Sequence, residues 1–382
     1  MNPDLALLQP YPFEQIRKLL AGKQQNPQLN PISLSVGEPK HQPPMLARQA
    51  LADASALLAN YPATKGSEEL RSAIANWACT RFKLDALNID TQLLPVNGTR
   101  EALFAIAQVV IDRTQPKPLV ISPNPFYQIY EGAALLAGAE PMYLNCTADN
   151  QYQPDLDAVS EQDWQNCQLL YLCSPGNPSG AVMPEAELHK AMRLAEQYNF
   201  VVVADECYSE LYPNESEPPI GLLQAAASMG NTDFKNCLVF HSLSKRSNLP
   251  GLRSGFVAGD ADLIAQFLQY RTYHGCSMSP ATQAASVAAW QDEAHVLENR
   301  TLYRQKFEAV LPIIQSVSHC KAPDAGFYLW PEFDQCDKAL CVKLYEDYAL
   351  SVVPGSVLAR DANSRNPGKN HLRLALVAPL ED

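Results

Sequence analysis

Between about residues 93 and 260, short apolar runs rich in branched side chains alternate with stretches where apolar residues recur every three or four positions. The runs PLVIS (118–122), LLYLC (169–173), FVVVA (200–204) and CLVFH (237–241) lack polar alternation, the pattern of strands covered on both faces. Between them, TREALFAIAQVV (99–110) and PEAELHKAMRLAEQY (184–198) carry helical periodicity. Upstream, GSEELRSAIANWACTRF (66–82) sets Leu70, Ile74, Trp77 and Ala78 at helical spacing, with Ser67 as N-cap and Glu68 and Glu69 in the first turn. Strands alternating with helices predict an α/β fold, a mostly parallel sheet with helices on both sides. After about residue 260 helical stretches dominate to residue 317, followed by the strand-like pieces GFYLWP (326–331), LSVVPG (350–355) and HLRLALV (371–377). That change predicts a second, smaller α+β domain.

The length suits one large domain with a smaller companion, or two of similar size. The 382 residues are 47% apolar and 18% charged, which leaves room for a sizeable core and argues against disorder. With 29 basic and 41 acidic residues the net charge is −12, so nucleic acid and anionic membranes are not expected partners. No apolar run approaches the roughly 20 residues of a membrane helix, and the opening residues lack a secretory pattern. A cytoplasmic protein is expected. The ten cysteines are scattered without CxxC, as for buried, reduced thiols. The seven histidines show neither HExxH nor zinc spacing, so no metal is expected. Prolines cluster at 39–44, 123–125 and 175–178, in loops of the kind that carry α/β active sites.

The residues just past the buried strands carry the chemistry. Asp205 follows Ala204, and a carboxylate at such a tip is costly unless it meets a cation or donors. Ser242-Leu243-Ser244-Lys245 follows His241, and desolvation there would lower the lysine pKa toward a nucleophilic amine. Ser174-Pro175-Gly176-Asn177-Pro178-Ser179-Gly180 presents an amide on a rigid turn, and Asn97-Gly98-Thr99-Arg100 opens a helix as an anion cradle. Ser242-x-x-Lys245 also matches the penicillin-binding serine motif, but no SDN or KTG follows. Pyridoxal phosphate uses all four features together: a Schiff-base lysine, an acid at the pyridine nitrogen, donors to the ring hydroxyl and a phosphate site at a helix start.

At this point the chain resembles the fold-type I, class I/II aminotransferases over essentially its whole length. The matching stretches are Ser35-Val36-Gly37-Glu38-Pro39, Tyr61-Pro62 with Gly66 and Leu70-Arg71, SPGNPSG, DECY, SLSKRSNLPGLRSG and His371-Leu372-Arg373-Leu374. The resemblance implies a large domain with a mostly parallel seven-stranded sheet over residues 41–280, and a small domain from 1–40 and 281–382. It implies that Lys245 forms the Schiff base and that Asp205 faces the pyridinium. Asn177 and Tyr208 would bond the ring hydroxyl, and Tyr127 would stack on the ring. Gly98, Thr99, Arg100, Ser242, Ser244 and Arg253 would hold the phosphate. Tyr61 would reach the phosphate of a neighbouring subunit, which implies a homodimer. Arg373 would clamp the substrate α-carboxylate, with Gly37 and Asn177 completing that end.

Within the family, several stretches resemble the N-succinyl-LL-diaminopimelate aminotransferases, above all YRTYHGCSMSPATQAASVAAWQDEAHVLENR (270–300), with PYPFEQIRKLLAG and PNPFYQIYEGAALLAGAEP. The reaction implied passes an amino group between glutamate/2-oxoglutarate and N-succinyl-LL-2,6-diaminopimelate/N-succinyl-2-amino-6-ketopimelate, in lysine biosynthesis. Both substrates carry a distal anionic end, for which Lys40, His41, Arg246 and Arg271 are candidates, Arg271 or Lys40 foremost. Transaminases of aspartate, alanine, aromatic or N-acetylornithine specificity share the catalytic set, and so does a C–S lyase. A transcriptional regulator on this fold would need a DNA-binding segment ahead of Gly37, where only about 35 residues stand.

Overall fold

The computed structural model describes residues 2–382. The N-terminal part holds helix α1 (Pro12–Leu19), strand β1 (Ile32–Ser33), α2 (Met45–Asp53) and α3 (Glu68–Phe82). The expected cap of α3 is present: the Leu70 N–H donates to Ser67 Oγ at 3.2 Å. There follow β2 (Leu93–Val96), α4 (Thr99–Val110), β3 (Leu119–Asn124), α5 (Ile129–Ala137), β4 (Glu140–Asn145), α6 (Glu161–Asn166), β5 (Cys167–Cys173), α7 (Glu185–Tyr198) and β6 (Val201–Asp205). Then come α8 (Leu222–Ser228), β7 (Cys237–Ser242), α9 (Leu243–Arg246), β8 (Gly255–Gly259), α10 (Ala261–His274), α11 (Pro280–Gln291) and α12 (Ala294–Gln315). The last part is β9 (Tyr328–Leu329), α13 (Asp337–Tyr348), β10 (Leu350–Ser351), β11 (Val353–Pro354) and β12 (Leu372–Ala375).

Seven strands form one sheet in the order β2-β8-β7-β6-β5-β3-β4. The pairings β7-β6-β5-β3-β4 are all parallel, and β8 runs antiparallel to both β2 and β7. The side chains of each inner strand divide between two cores, as the two-residue period of a strand requires. Leu170, Leu172, Val202, Ala204 and Val239 pack with Trp77 and Trp290 on one face. Leu169, Tyr171, Val203, Leu238 and Phe240 pack with Leu103, Ile106 and Phe267 on the other. The loops after β2, β3, β5, β6 and β7 therefore leave the sheet at one end, where α/β folds bind ligands.

Packing moves one expected boundary. Ile264 and Phe267 of α10, and Ala285, Val287, Ala289 and Trp290 of α11, belong to the two sheet cores. The sheet layer thus runs on to Gln291, past the expected division at 280. Beyond it, β11-β12-β9 form a small antiparallel sheet. Leu329, Leu340, Leu372 and Leu374 there meet Phe307, Val310 and Ile314 of α12. The N-terminal arm joins this part: β1 pairs in parallel with β10, and Ile16 packs on Trp330, Val353 and Val357. Among the described residues no helix is long and apolar enough to cross a membrane, and no three His, Cys, Asp or Glu side chains gather as a metal site.

Candidate active site

A cavity of about 340 Å³ lies at the shared end of the parallel strands, roofed by the N-terminal arm and β12. Lys245 enters it from α9, a single helical turn capped by Ser242, whose Oγ accepts from the Ser244 N–H at 3.1 Å. The Lys245 ammonium donates to the Gly37 carbonyl and stands 5.2 Å from the centre of the Phe327 ring. Burial, helped by the charges of Arg373 and Arg253, lowers its pKa to about 8.

Asp205, the last residue of β6, is buried at the cavity floor. Its Oδ2 accepts from the Tyr130 hydroxyl at 2.7 Å and its Oδ1 from the Cys207 N–H at 3.3 Å. Tyr130 is fixed in turn by stacking on Tyr171, with ring centres 4.5 Å apart. Among the described residues no Lys, Arg or His comes within ion-pair distance of Asp205, and burial raises its pKa.

Two further sides of the cavity are cationic. At the start of α4, Gly98 holds φ at +85°, a conformation L side chains rarely adopt, and a Cβ there would collide with the Arg253 guanidinium. Thr99, Arg253 and the hydroxyls of Ser242 and Ser244, 2.9 Å apart, complete this side. Opposite, Arg373 of β12 donates to Asn177 Oδ1 at 3.1 Å and to the Ser35 carbonyl at 2.8 Å, while its buried Nε has no partner. The guanidinium lies 4.6 Å from the centre of the Tyr328 ring, whose hydroxyl is 3.0 Å from that of Tyr208. Gly37 allows this closeness, since a Cβ there would strike the Tyr328 hydroxyl. Arg100 lines the mouth, its Nε donating to the Tyr127 hydroxyl at 2.5 Å and its Nη2 to that of Tyr11 at 3.1 Å.

These residues fit pyridoxal phosphate. A buried carboxylate short of a cation suits the pyridine nitrogen, and an amine of lowered pKa suits the aldehyde. The helix start beside Arg253 and two serine hydroxyls suits a phosphate, and the Tyr127 ring forms a wall. The fold thus gathers Gly37, Thr99, Arg100, Tyr127, Asn177, Asp205, Tyr208, Ser242, Ser244, Lys245, Arg253 and Arg373 around one cavity, with Gly98 adjoining it. Tyr61 stands elsewhere, fully exposed.

The candidates for the distal group are not in this cavity. Arg271 is 1% exposed, bound to Glu101 and, at 3.2 Å, to Asn97 Oδ1, so its charge is already spent on the fold. Arg246, also 1% exposed, is held by Glu293 and by the Ala289 carbonyl at 2.7 Å. Lys40 pairs with Glu38, and both Lys40 and His41 line a different cavity. Sequence reasoning missed Tyr130, Tyr328 and Tyr11. Each sits in an apolar or proline-rich stretch with nothing to mark its hydroxyl.

The profile of the family described as aminotransferase class I and II matches residues 30–381. An LL-diaminopimelate aminotransferase of Nitratidesulfovibrio vulgaris is 28% identical over 384 residues, covering 99% of this chain and 95% of that one. The crystal structure of an aminotransferase from Neisseria meningitidis superimposes with a TM-score of 0.96 at 46% identity, covering 100% of this chain and 96% of the other. A probable N-succinyldiaminopimelate aminotransferase of Thermus thermophilus shares the fold, with a TM-score of 0.82 at 24% identity over 99% of this chain and 96% of that one.

Proposed function

The chain belongs to the class I and II aminotransferases, a pyridoxal-phosphate-dependent family, and from that premise we propose that it moves an amino group between glutamate and N-succinyl-2-amino-6-ketopimelate. Bound pyridoxal phosphate supplies an imine-forming aldehyde and an electron-accepting ring. Asp205 would keep the ring nitrogen protonated. Lys245, freed by the incoming amino acid, would take the proton from the substrate Cα and return it on the far side of the transferred nitrogen as general base and acid. An amine whose pKa lies near 8 can do both close to neutral pH. Arg373, with an unpartnered Nε and no carboxylate of its own, would receive the substrate α-carboxylate in a planar fork.

Charge carries the choice of substrate. Of the cations in the cavity lining, Lys245 would go to the aldehyde, Arg253 to the phosphate and Arg373 to the α-carboxylate, which leaves Arg100, while the carboxylate of the lining, Asp205, would go to the ring nitrogen. The distal end of an N-succinyl diaminopimelate carries two carboxylates and no ammonium, and Arg100, expected from the family resemblance to hold the phosphate but bonded here to Tyr127 and Tyr11 at the mouth, would meet it instead. Free LL-diaminopimelate would bring a distal ammonium to a lining with no carboxylate to spare. The name of the Nitratidesulfovibrio relative favours that second substrate. The two half-reactions separate them: load the amino form with glutamate, remove small molecules, and time the return of the cofactor absorbance with each keto acid. Fastest return with the succinylated keto acid supports the proposal; return only with the free diaminopimelate keto form sinks it. Arg100→Ala should raise KM for the succinylated substrate about 10- to 100-fold, the loss of one or two charge-assisted hydrogen bonds, with kcat much less affected.

A further inference from the structure

Asn299 is 1% exposed in the first turns of α12, outside the cavity, yet its side chain touches the backbone of the lysine at the centre of the site. Its Nδ2 donates to the Lys245 carbonyl at 3.2 Å. Its Oδ1 accepts from Asn248 Nδ2 at 3.0 Å and pairs with His41 Nδ1 at 2.8 Å. His41 lies on the same loop whose Gly37 carbonyl receives the Lys245 ammonium. A closed circuit results, running from the lysine amine to Gly37, along the loop to His41, across to Asn299 and back to the lysine's own carbonyl.

The roles within the circuit are fixed. An Asn299 oxygen that already accepts from Asn248 requires His41 Nδ1 to be the donor, so neutral His41 carries its proton there. His41 Nε2 is buried without a partner, as suits an unprotonated nitrogen, and burial lowers the histidine's pKa. The link therefore persists uncharged across the neutral range.

We propose that Asn299 is a positioning residue for Lys245, clamping the lysine backbone to the loop that receives its amine. The inference rests on the aminotransferase reading for its consequence, because a lysine that must find one substrate Cα tolerates little misplacement. An error of about 1 Å in such a group can cost on the order of 100-fold in rate. The groups that face the amine electrostatically are Cys207, Arg373, Glu38 and Arg253, none of which the substitutions below remove.

The test uses Asn299→Asp, which keeps an acceptor for His41 and Asn248 but cannot donate to the Lys245 carbonyl, and His41→Phe, which cuts the circuit at its other end. His41→Gln, which can still donate, is the conservative control. For each holoenzyme, kcat and KM are measured in the glutamate half-reaction. In the cofactor-free protein, the pH dependence of Lys245 acylation by an amine-reactive reagent is followed by mass spectrometry, together with the melting temperature. Asn299→Asp and His41→Phe should lower kcat about 10- to 100-fold with KM within about threefold. His41→Phe, which adds no charge, should also move the acylation inflection upward from its wild-type position near pH 8, as a loosened amine gains water. His41→Gln should stay close to wild type in both. If both disruptive variants lose only melting temperature, with kcat and the His41→Phe inflection unchanged, Asn299 merely supports the fold and the proposal fails. Because glutamate and the free protein suffice, an error in the keto-acid assignment leaves the result readable.

Discussion

Asp205 and Lys245 meet the same difficulty, a charge carried into a low-dielectric site, and burial pushes each toward its neutral form, the carboxyl pKa up and the amine pKa down. Asp205 keeps two donors that oppose the shift and lacks a cation, whereas the amine has the Gly37 carbonyl to hold its charge. Tyr130→Phe removes one of those donors, a bond to a charged group worth about 1.5–3 kcal/mol. Cofactor affinity should fall about 10- to 100-fold, measured by equilibrium dialysis; unchanged affinity would show that the tyrosine is only packing. The lysine makes a pH prediction in the cofactor-free protein. Its folded pKa, about 8, lies below the ordinary 10.5, so the unfolded chain binds the extra proton between those values and stability rises with pH there. Below about pH 8 the burial penalty is fully present. Lys245→Met should therefore melt above the wild type at neutral pH, with the gap closing as pH climbs toward 10.5. A gap that stays constant across that range would contradict it. Both residues were legible in the sequence because each follows an apolar strand. Tyr130 was not, since only the fold turns its hydroxyl toward Asp205. Arg271 misled because nothing in RTYHG announces a partner, Glu101, 170 positions away.

Among the elements, the inner strands β3, β5, β6 and β7 could be read directly because their residues are almost all buried and apolar. The sheet edges could not. β2 contains Pro95, and β4, half-covered, mixes Glu140, Pro141 and Asn145 with its apolar residues; edge positions tolerate both. Central β8 escaped as well, because GFVAG is short and bounded by glycines. The start of α4 was legible as the opening of a helix at Thr99, and its geometry yields a prediction for the phosphate role proposed there. Gly98→Ala would face both a positive φ and the Arg253 guanidinium. It should weaken cofactor binding more than tenfold while the melting temperature of the free protein falls only a few degrees, as for about 1–2 kcal/mol of backbone strain. Wild-type affinity in that variant would show that the close approach is relaxed without cost.

At the scale of the whole molecule, Leu57, Leu58 and Tyr61 leave an apolar run open to water, with Leu58 60% exposed and Tyr61 wholly so. Contiguous exposure of this kind marks an interaction surface, and we propose that a second copy of the chain covers it. Sedimentation should report twice 42.1 kDa, and Leu57→Asp with Leu58→Asp should shift the protein toward a single chain with less activity. A monomeric wild type at micromolar concentration would refute the pairing. The sequence separated two parts of the chain by their patterns but placed the change too early, because α10 and α11 look like the helices that follow them and only packing shows which core they join.

The order of the strands along the chain also bears on how the molecule is born. All seven strands of the large sheet lie between Leu93 and Gly259, and Asp205, Lys245 and Arg253 arrive with them. Arg373 lies in the last strand, more than a hundred residues later. A chain leaving the ribosome N-terminus first can therefore assemble the residues proposed to cradle the cofactor while the one proposed to clamp the substrate is still being translated. Under the roles proposed above, vitamin capture can precede catalytic competence, and a nascent enzyme that holds its cofactor early has no means of acting on an amino acid until Arg373 has also been made.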